Sequence, residues 1–238
     1  VKTKIGIVGC GFIGQELAKA IKKKFADKAK LVAVYDINKE AAKKIGKLLA
    51  IEALIDAVDV VIESAAPDAV KQLIPLVIKK HKKILVMSTG GLLGVTLGEG
   101  IHFPSGAIAG LDGLSAATHG KIDKITLTTT KPQKSLNCDG LEKDKLIFSG
   151  SVEDAIAKFP KNINVCATLA LVSRDPKLVH VNIIASPTVT RNIHKIEIEG
   201  DFGKLSCLME NVPSPKNPKT SYITVLSAID ALKKIIYG

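Results

Sequence analysis

The sequence contains no tryptophan, and aromatic residues make up only 4% of its 238 positions. A nucleic-acid-binding surface gathers its cations around aromatic rings on which bases can stack. Here the lysines are scattered, in short runs such as Lys22-Lys23-Lys24 and Lys79-Lys80 on expected helix surfaces. The net charge of +11 is therefore read as solvated helix-face lysine whose field favours small anionic ligands, and no nucleic-acid partner is expected. Cysteine is scarce as well. Cys10, Cys138, Cys166 and Cys207 are far apart and form no C-x-x-C pair, so no metal site is expected. Cys10 sits inside a glycine loop that a disulfide would obstruct, which points to reduced thiols and a cytoplasmic setting. No apolar run is long enough to span a bilayer, and the first residues run into a strand rather than a signal peptide, so no membrane partner is expected. What remains is ordinary globular composition, 46% hydrophobic and 24% charged, enough for one large core or two small ones.

The first half alternates short apolar runs with amphipathic stretches. Lys4–Val8, Leu31–Tyr35, Val58–Ile62 and Ile84–Met87 read as buried strands, and Ile101–Phe103 begins a fifth. Phe12–Phe25, Lys39–Leu49 and Pro67–Lys80 read as helices, with Pro67 placed where its missing N–H is harmless. Repeated β-α-β of this kind predicts a Rossmann-type doubly wound parallel sheet. The pattern then changes. Lys124–Thr130, Leu178–Ala185, His194–Glu199 and Lys204–Glu210 carry antiparallel-type strand signals, interrupted by helices over Val152–Lys158 and Val165–Val172. The expected organisation is a dinucleotide-binding domain over 1–110, a second α+β domain over 111–217, and a last helix over 218–238 that returns to the first domain.

Gly9-Cys10-Gly11-Phe12-Ile13-Gly14 follows the first strand and opens the first helix. In that context Gly9 permits the tight turn, Gly11 lets a pyrophosphate approach the backbone, and Gly14 allows close helix–strand packing. The start of the helix offers free N–H groups to the phosphates. Asp36 ends the second strand about 20 residues further on, where a carboxylate accepts hydrogen bonds from the adenosine ribose. It favours NAD over NADP by repelling a 2′-phosphate, while Asn38 and Lys39 beside it leave NADP possible. Glu63-Ser64-Ala65-Ala66 and Ser88-Thr89-Gly90-Gly91 end the third and fourth strands, the position where open α/β sheets bind ligands. Ala65, Ser88, Thr89 and Gly90 are small enough there to admit a nicotinamide ribose; ordinary loop chemistry is the alternative.

Four later segments carry polar or small residues in groups. Pro104–Gly113 is rich in small residues that suit close backbone approach to a ligand or to a helix. Phe159–Val165 places Asn162 and Asn164 before an apolar helix, where Asn164 could be the N-cap. His194, beside Asn192, could exchange protons near neutrality or be structural. Lys219, Thr220 and Ser221 could hold a carboxylate at a helix start or merely cap that helix.

In this order, these segments resemble the L-aspartate dehydrogenase family over nearly the whole chain. The resemblance rests on Ser105–Asp112 (S-G-A-I-A-G-L-D), Phe159–Thr168 (F-P-K-N-I-N-V-C-A-T), Asn192-Ile193-His194 and Asn217-Pro218-Lys219-Thr220-Ser221. It implies that His194 is the catalytic residue and that Ala107 and Asn164 contact the cofactor. Asn162, Asn192, Lys219, Thr220 and Ser221 are then the candidates for holding a dicarboxylate substrate. The implied activity is NAD- or NADP-dependent oxidation of L-aspartate to iminoaspartate, which hydrolyses to oxaloacetate and ammonia or feeds NAD biosynthesis. The implied fold is a Rossmann domain with an α+β domain carrying a mostly open sheet, in a homodimer. Gly91 departs from the family, whose members often have Ala there, and the stretches Gly91–Ile101 and Lys39–Val58 are short. Two alternatives stand beside this reading. A related amino-acid-pathway reductase, similar to homoserine dehydrogenase or dihydrodipicolinate reductase, lacks the His194 and Asn217–Ser221 contexts. A nicotinamide-sensing binding protein without turnover would share only the glycine fingerprint.

Overall fold

In a computed structural model, which describes residues 1–159 and 163–238 and all their side chains but those of Ile163, Pro218 and Lys219, the apolar run around Ile5 and Ile7 is strand β1 (Thr3–Val8). It is followed by α1 (Phe12–Lys23), β2 (Ala29–Tyr35), α2 (Lys39–Lys43), α3 (Ile51–Ala57), β3 (Val60–Glu63), α4 (Pro67–Lys79), β4 (Lys83–Val86) and β5 (Ile101–His102). The strands form one sheet in the order β2-β1-β3-β4-β5, every neighbouring pair parallel. The chain leaves β1 towards β2 and later returns on the other side of β1 to form β3. At that reversal the loops after β1 and β3 diverge, which opens the crevice where sheets of this class take ligands.

Alternation along β1 explains why the sheet is covered on both faces. Ile5 and Ile7 share a core with Leu17 and Ile21 of α1 and with Val34, Ile62 and Leu85 of the neighbouring strands. Gly6 points the other way, where a Cβ would stand 2.5 Å from Leu54 Cδ2 of α3, so the absent side chain lets α3 lie close on the sheet. Gly91 has a similar role. Its Cβ would meet the Pro67 carbonyl oxygen at 2.5 Å and Val70 Cβ at 2.7 Å, so an alanine here would force α4 outward.

The expected helix over Lys39–Leu49 does not form as one element. α2 stops at Lys43, and the chain beyond Gly46 turns to pair with the edge of β2. The Val34 N–H donates to the Lys47 carbonyl at 2.8 Å, and the Leu49 N–H donates to the Val34 carbonyl at 3.1 Å. Glycine is a poor helix residue, and the free backbone groups of an edge strand outcompete the next helical turn. The α3 helix was not expected; its seven residues are too few to show a helical period clearly.

Contacts divide the chain into two compact units, Val1–Pro104 with Thr224–Gly238, and Ser105–Ile223. The second unit contains α5 (Leu111–Ala117), β6 (Ile122–Pro132), β7 (Lys145–Gly150), α6 (Val152–Lys158), α7 (Ile163–Ser173), β8 (Val179–Ser186), β9 (Asn192–Gly200), β10 (Gly203–Asn211), β11 (Pro213–Ser214) and β12 (Asn217–Ser221). Its main sheet runs β10-β9-β6-β8-β7. The central β6–β8 pair is parallel, against the antiparallel expectation; the other pairs are antiparallel. The chain between β6 and β8 carries α6 and α7, and a helical crossover of this kind brings the next strand back in the same direction. Ile125, Leu127 and Thr129, Val181 and Ile183, and His194, Ile196 and Ile198 are buried on one face. The opposite face carries Thr126, Thr128 and ion pairs such as Lys195–Glu197 and Lys204–Glu199.

The last helix, α8 (Tyr222–Tyr237), begins later than the expected Pro218. Residues 217–221 are instead strand β12, paired with β11 across a tight Pro-containing turn. The Tyr222 N–H closes this hairpin by donating to the Val212 carbonyl at 2.9 Å. From Thr224 the helix belongs to the first unit, where Ala228, Leu232 and Ile235 join the core around Ile5 and Ile7. Among the described residues no helix is long and apolar enough to cross a membrane.

Candidate active site

The turn from β1 into α1 is built by three glycines with three different needs. Gly9 has φ +94°, and a Cβ on it would meet the Ala65 nitrogen and the Ser64 oxygen at 2.5 Å. Gly14 packs directly on the Gly9 carbonyl oxygen, with Ser64 Oγ 2.9 Å from where its Cβ would be. Gly11 is different: nothing lies within 4 Å of a Cβ placed there, and its backbone (φ −70°, ψ −164°) is open to any residue. Gly11 is the N-cap of α1, with no side chain capping the N–H groups of the first turn, where Phe12 and Ile13 stand half-buried. Free donors at a helix start, beside a space kept open by a missing side chain, fit a pyrophosphate.

Asp36 closes this loop from the end of β2. Its Oδ2 accepts the Cys10 N–H at 2.6 Å and its Oδ1 accepts the Asn38 N–H at 2.7 Å. A carboxylate has further lone pairs, so the same group can accept ribose hydroxyls while it holds the glycine turn. The Cys10 thiol is buried and pushed up to about 11, by burial first and then by the Asp36 charge. It remains a neutral thiol and donates to the Tyr35 carbonyl at 3.6 Å.

Ala65 and Ser88 are organised by one residue that stood in the sequence only as the first member of a loop. Glu63 is fully buried at the end of β3. Its Oε1 accepts the N–H groups of Ala65 (2.8 Å) and Ala66 (3.0 Å) and the Ser88 hydroxyl (2.9 Å), and its Oε2 accepts the Ser88 N–H at 3.0 Å. Burial pushes the Glu63 carboxyl above its usual range, and these four donors pull it back. One carboxylate thereby fixes the loops after β3 and β4 to each other, and Thr89 and Gly90 follow in a 3₁₀ turn over Thr89–Leu92. A glutamine at position 63 would turn a donor towards the Ser88 N–H and leave that group unpaired. We expect Glu63→Gln to destabilise the protein by about 1–3 kcal/mol. A melting curve within error of the parent's would show that these hydrogen bonds do not hold the loops.

In the second unit, His194 is 4% exposed on β9, directly opposite Thr129 of β6. Its Nδ1 lies 2.9 Å from Thr129 Oγ1. Lys131 follows Thr129 by two positions and so shares the His194 face of the sheet. Burial, and then the Lys131 charge, hold the His194 imidazole down to about 4, so at neutral pH it is uncharged, below the near-neutral titration expected from the sequence. On β9, Asn192 lies opposite Asn211 of β10. Asn211 is buried, and its Nδ2 donates to the Ala107 carbonyl at 2.9 Å, fixing the small-residue loop that precedes α5.

Asn164 is not an N-cap. It lies inside the first turn of α7, exposed, with its carbonyl accepting the Thr168 hydroxyl at 2.7 Å. Thr220 is on strand β12 and not at a helix start; its Oγ1 accepts the Asn217 amide at 3.2 Å, and Ser221 alone adjoins α8. Asn162 and the Lys219 side chain lie outside the described residues. The residues missed in the sequence are Glu63 as a buried anchor, Asn211 and Lys131. The signal for Glu63 was a carboxylate inside an apolar strand run. Asn211 and Lys131 carry no local signal, since only strand pairing brings them to Ala107 and His194.

Comparisons with known proteins bear on both units. A family model described as the homoserine dehydrogenase NAD binding domain matches residues 9–102. A second, described as the C-terminal part of aspartate dehydrogenase, matches residues 112–235. The L-aspartate dehydrogenase of Methanosarcina barkeri is 39% identical over 98% of this chain and 97% of its own length. That of Methanothermobacter thermautotrophicus is 39% identical over 97% of this chain and 95% of its own. Among solved structures, aspartate dehydrogenase from Thermotoga maritima is 28% identical with a TM-score of 0.76, covering 99% of this chain and 97% of that one. A myo-inositol dehydrogenase from Lactobacillus casei, solved with NAD(H) and myo-inositol, is 15% identical with a TM-score of 0.59 over 99% and 87% of the two chains, and shares the fold alone.

Proposed function

The chain belongs to the aspartate dehydrogenase family, and from that membership we propose that it oxidises L-aspartate to iminoaspartate with NAD or NADP, yielding oxaloacetate and ammonia on hydrolysis. The observation that carries this reading is a buried, uncharged His194 beside Lys131 on one sheet face, in a chain that also bears an open glycine turn at a helix start. A bound nicotinamide would supply the acceptor for the hydride on Cα of the substrate. His194 takes a proton from the substrate amine or from the water that adds to the imine, and returns it as ammonia leaves. Thr129 orients the imidazole through Nδ1, leaving Nε2 for this exchange. Gly9, Gly11, Phe12, Ile13 and Gly14 take the pyrophosphate, and Asp36 the adenosine ribose. Ala65, Ser88, Thr89 and Gly90 flank the nicotinamide end, with Ala107 and Asn164 as further cofactor contacts. Asn162, Asn192, Lys219, Thr220 and Ser221 are proposed to surround the dicarboxylate. The reading extends to a homodimer in the cytoplasm that supplies iminoaspartate to NAD biosynthesis.

The test is a screen of amino acids with NAD and NADP, followed by the absorbance of the reduced cofactor. Reduction with L-aspartate and not with neutral amino acids is expected; no reduction with any amino acid would leave a nucleotide-binding protein without this activity. Asp36 adds a prediction about the cofactor. Its carboxylate repels a 2′-phosphate and accepts from ribose hydroxyls, so Asp36→Ala should shift the NADP-to-NAD ratio of kcat/KM upward by about tenfold or more. An unchanged ratio would mean that Asp36 only braces the glycine turn through the Cys10 N–H.

A further inference from the structure

We propose that Glu63 makes the cofactor site prefer the oxidised nicotinamide over the reduced one, acting through its buried negative charge as a specificity-determining residue. The inference rests on the nucleotide binding proposed above and adds which redox form is held more tightly. Its basis is a charge without a counter-ion. Glu63 is fully buried at the end of β3, the strand beside β1 in the same compact unit. Its four partners, the N–H groups of Ala65, Ala66 and Ser88 and the Ser88 hydroxyl, are all neutral donors. A group that only accepts has the bonding of an ionised carboxylate. Ala66 is also the N-cap of the 13-residue α4, and the start of a helix favours an anion. Among the described residues Glu63 has no ion pair. Burial pushes its carboxyl up and hydrogen bonds alone pull it back, with no neighbouring charge contributing. The loops over 64–66 and 88–92 contain no lysine, arginine or histidine, and Asp68 at the start of α4 is exposed and acidic as well.

A buried anion without a counter-ion is costly, and its field reaches beyond its hydrogen bonds because little water screens it. The nicotinamide ring carries positive charge when oxidised and none when reduced. The loops that Glu63 joins are those proposed to flank this ring, so the oxidised ring is the cation that complements the carboxylate. Asp36 is assigned to the adenosine end, whose charge is the same in both forms. The hydrogen bonds of Glu63 hold the two loops whichever form is bound, whereas its charge distinguishes the forms. For two unit charges about 10 Å apart, at an effective dielectric constant of about 20, the attraction corresponds to roughly a 10- to 20-fold change in affinity. In the proposed reaction the substrate nucleotide gains this affinity and the product nucleotide does not, so the reduced cofactor leaves more readily.

The experiment measures by calorimetry the Kd of NAD and of NADH, or of NADP and NADPH where the parent binds those more tightly. The proteins are the parent, Glu63→Gln and Glu63→Asp, each held below its melting temperature. In Glu63→Gln the charge is gone, while the amide oxygen can still accept from Ala65 and Ala66. The ratio of the reduced-form Kd to the oxidised-form Kd should fall roughly 10- to 20-fold in this variant. Glu63→Asp keeps the charge on a shorter chain, so it should weaken both forms alike and keep a ratio close to the parent's. Loosened loops alone would also weaken both forms together, so a parental ratio in Glu63→Gln overturns the proposal. Should that variant fail to fold, the parent decides: tighter binding of the oxidised form supports the proposal, and tighter binding of the reduced form overturns it. A parent that binds neither nucleotide refutes the cofactor reading and this inference together. A Glu63-dependent ratio in a parent that reduces no cofactor with aspartate would refute the proposed activity and keep the inference.

Discussion

Replacing His194 with alanine is expected to lower kcat about 10²–10⁴-fold while nucleotide binding is retained, the usual range for loss of a positioned acid–base group. His194→Asn should be nearly as slow, since an amide can hydrogen-bond to Thr129 but has no titratable nitrogen with which to exchange a proton. The parent's pH profile gives an independent check. The base form of His194 is the neutral one, and in the free protein its imidazole is held down to about 4. Activity per free enzyme therefore survives acidification well below the ordinary histidine range, and the acid limb of kcat/KM falls near pH 4. An alanine variant with parental turnover across the pH range would make His194 a structural residue.

The glycine turn supports a second strong expectation, which separates folding from binding. Gly11→Val should fold and melt close to the parent, because Gly11 has ordinary dihedral angles and empty space where a side chain would go. It should bind neither NAD nor NADP measurably, because the isopropyl group fills the space the pyrophosphate needs. Gly14→Val should do the reverse. Its Cβ falls on the Gly9 carbonyl oxygen, so β1 and α1 cannot keep their spacing, and the protein is destabilised by at least about 1–3 kcal/mol. Calorimetric titration with NAD and a thermal melt of each variant decide the matter. NAD binding by Gly11→Val at parental strength would remove the turn from the cofactor site.

Local signals explain what could be read from the sequence. The parallel sheet was legible because each buried strand is a short apolar run, and because a strand, a glycine turn and a helix are contiguous around Gly9–Gly14. The wrong helix over Lys39–Leu49 came from apolar spacing that a tertiary contact overrides, the pairing of residues 47–49 with the edge of β2. The β7 strand was missed because only Leu146, Ile147 and Phe148 mark it, in a run without clean alternation, at the sheet edge. The side-chain relations of His194 depend on strand register. Thr129 and Lys131 are more than sixty positions away in sequence and look like any other threonine and lysine until β6 lies beside β9. Glu63 was visible as a residue but not as an anchor, since its four donors come from two different loops.

The return of α8 to the first unit has a bearing on synthesis. The residues that build the parallel sheet leave the ribosome before the second unit, yet Ala228, Leu232 and Ile235, which complete the core around Ile5 and Ile7, leave it after that unit. Until then the nascent sheet has one apolar flank without its helix, and the intermediate is a sticky one. A chain interrupted anywhere before Thr224 would share that defect however complete the second unit was. Such a fragment should depend on chaperones or be degraded, so α8 acts as a seal that the first unit can close only after the whole second unit has been made.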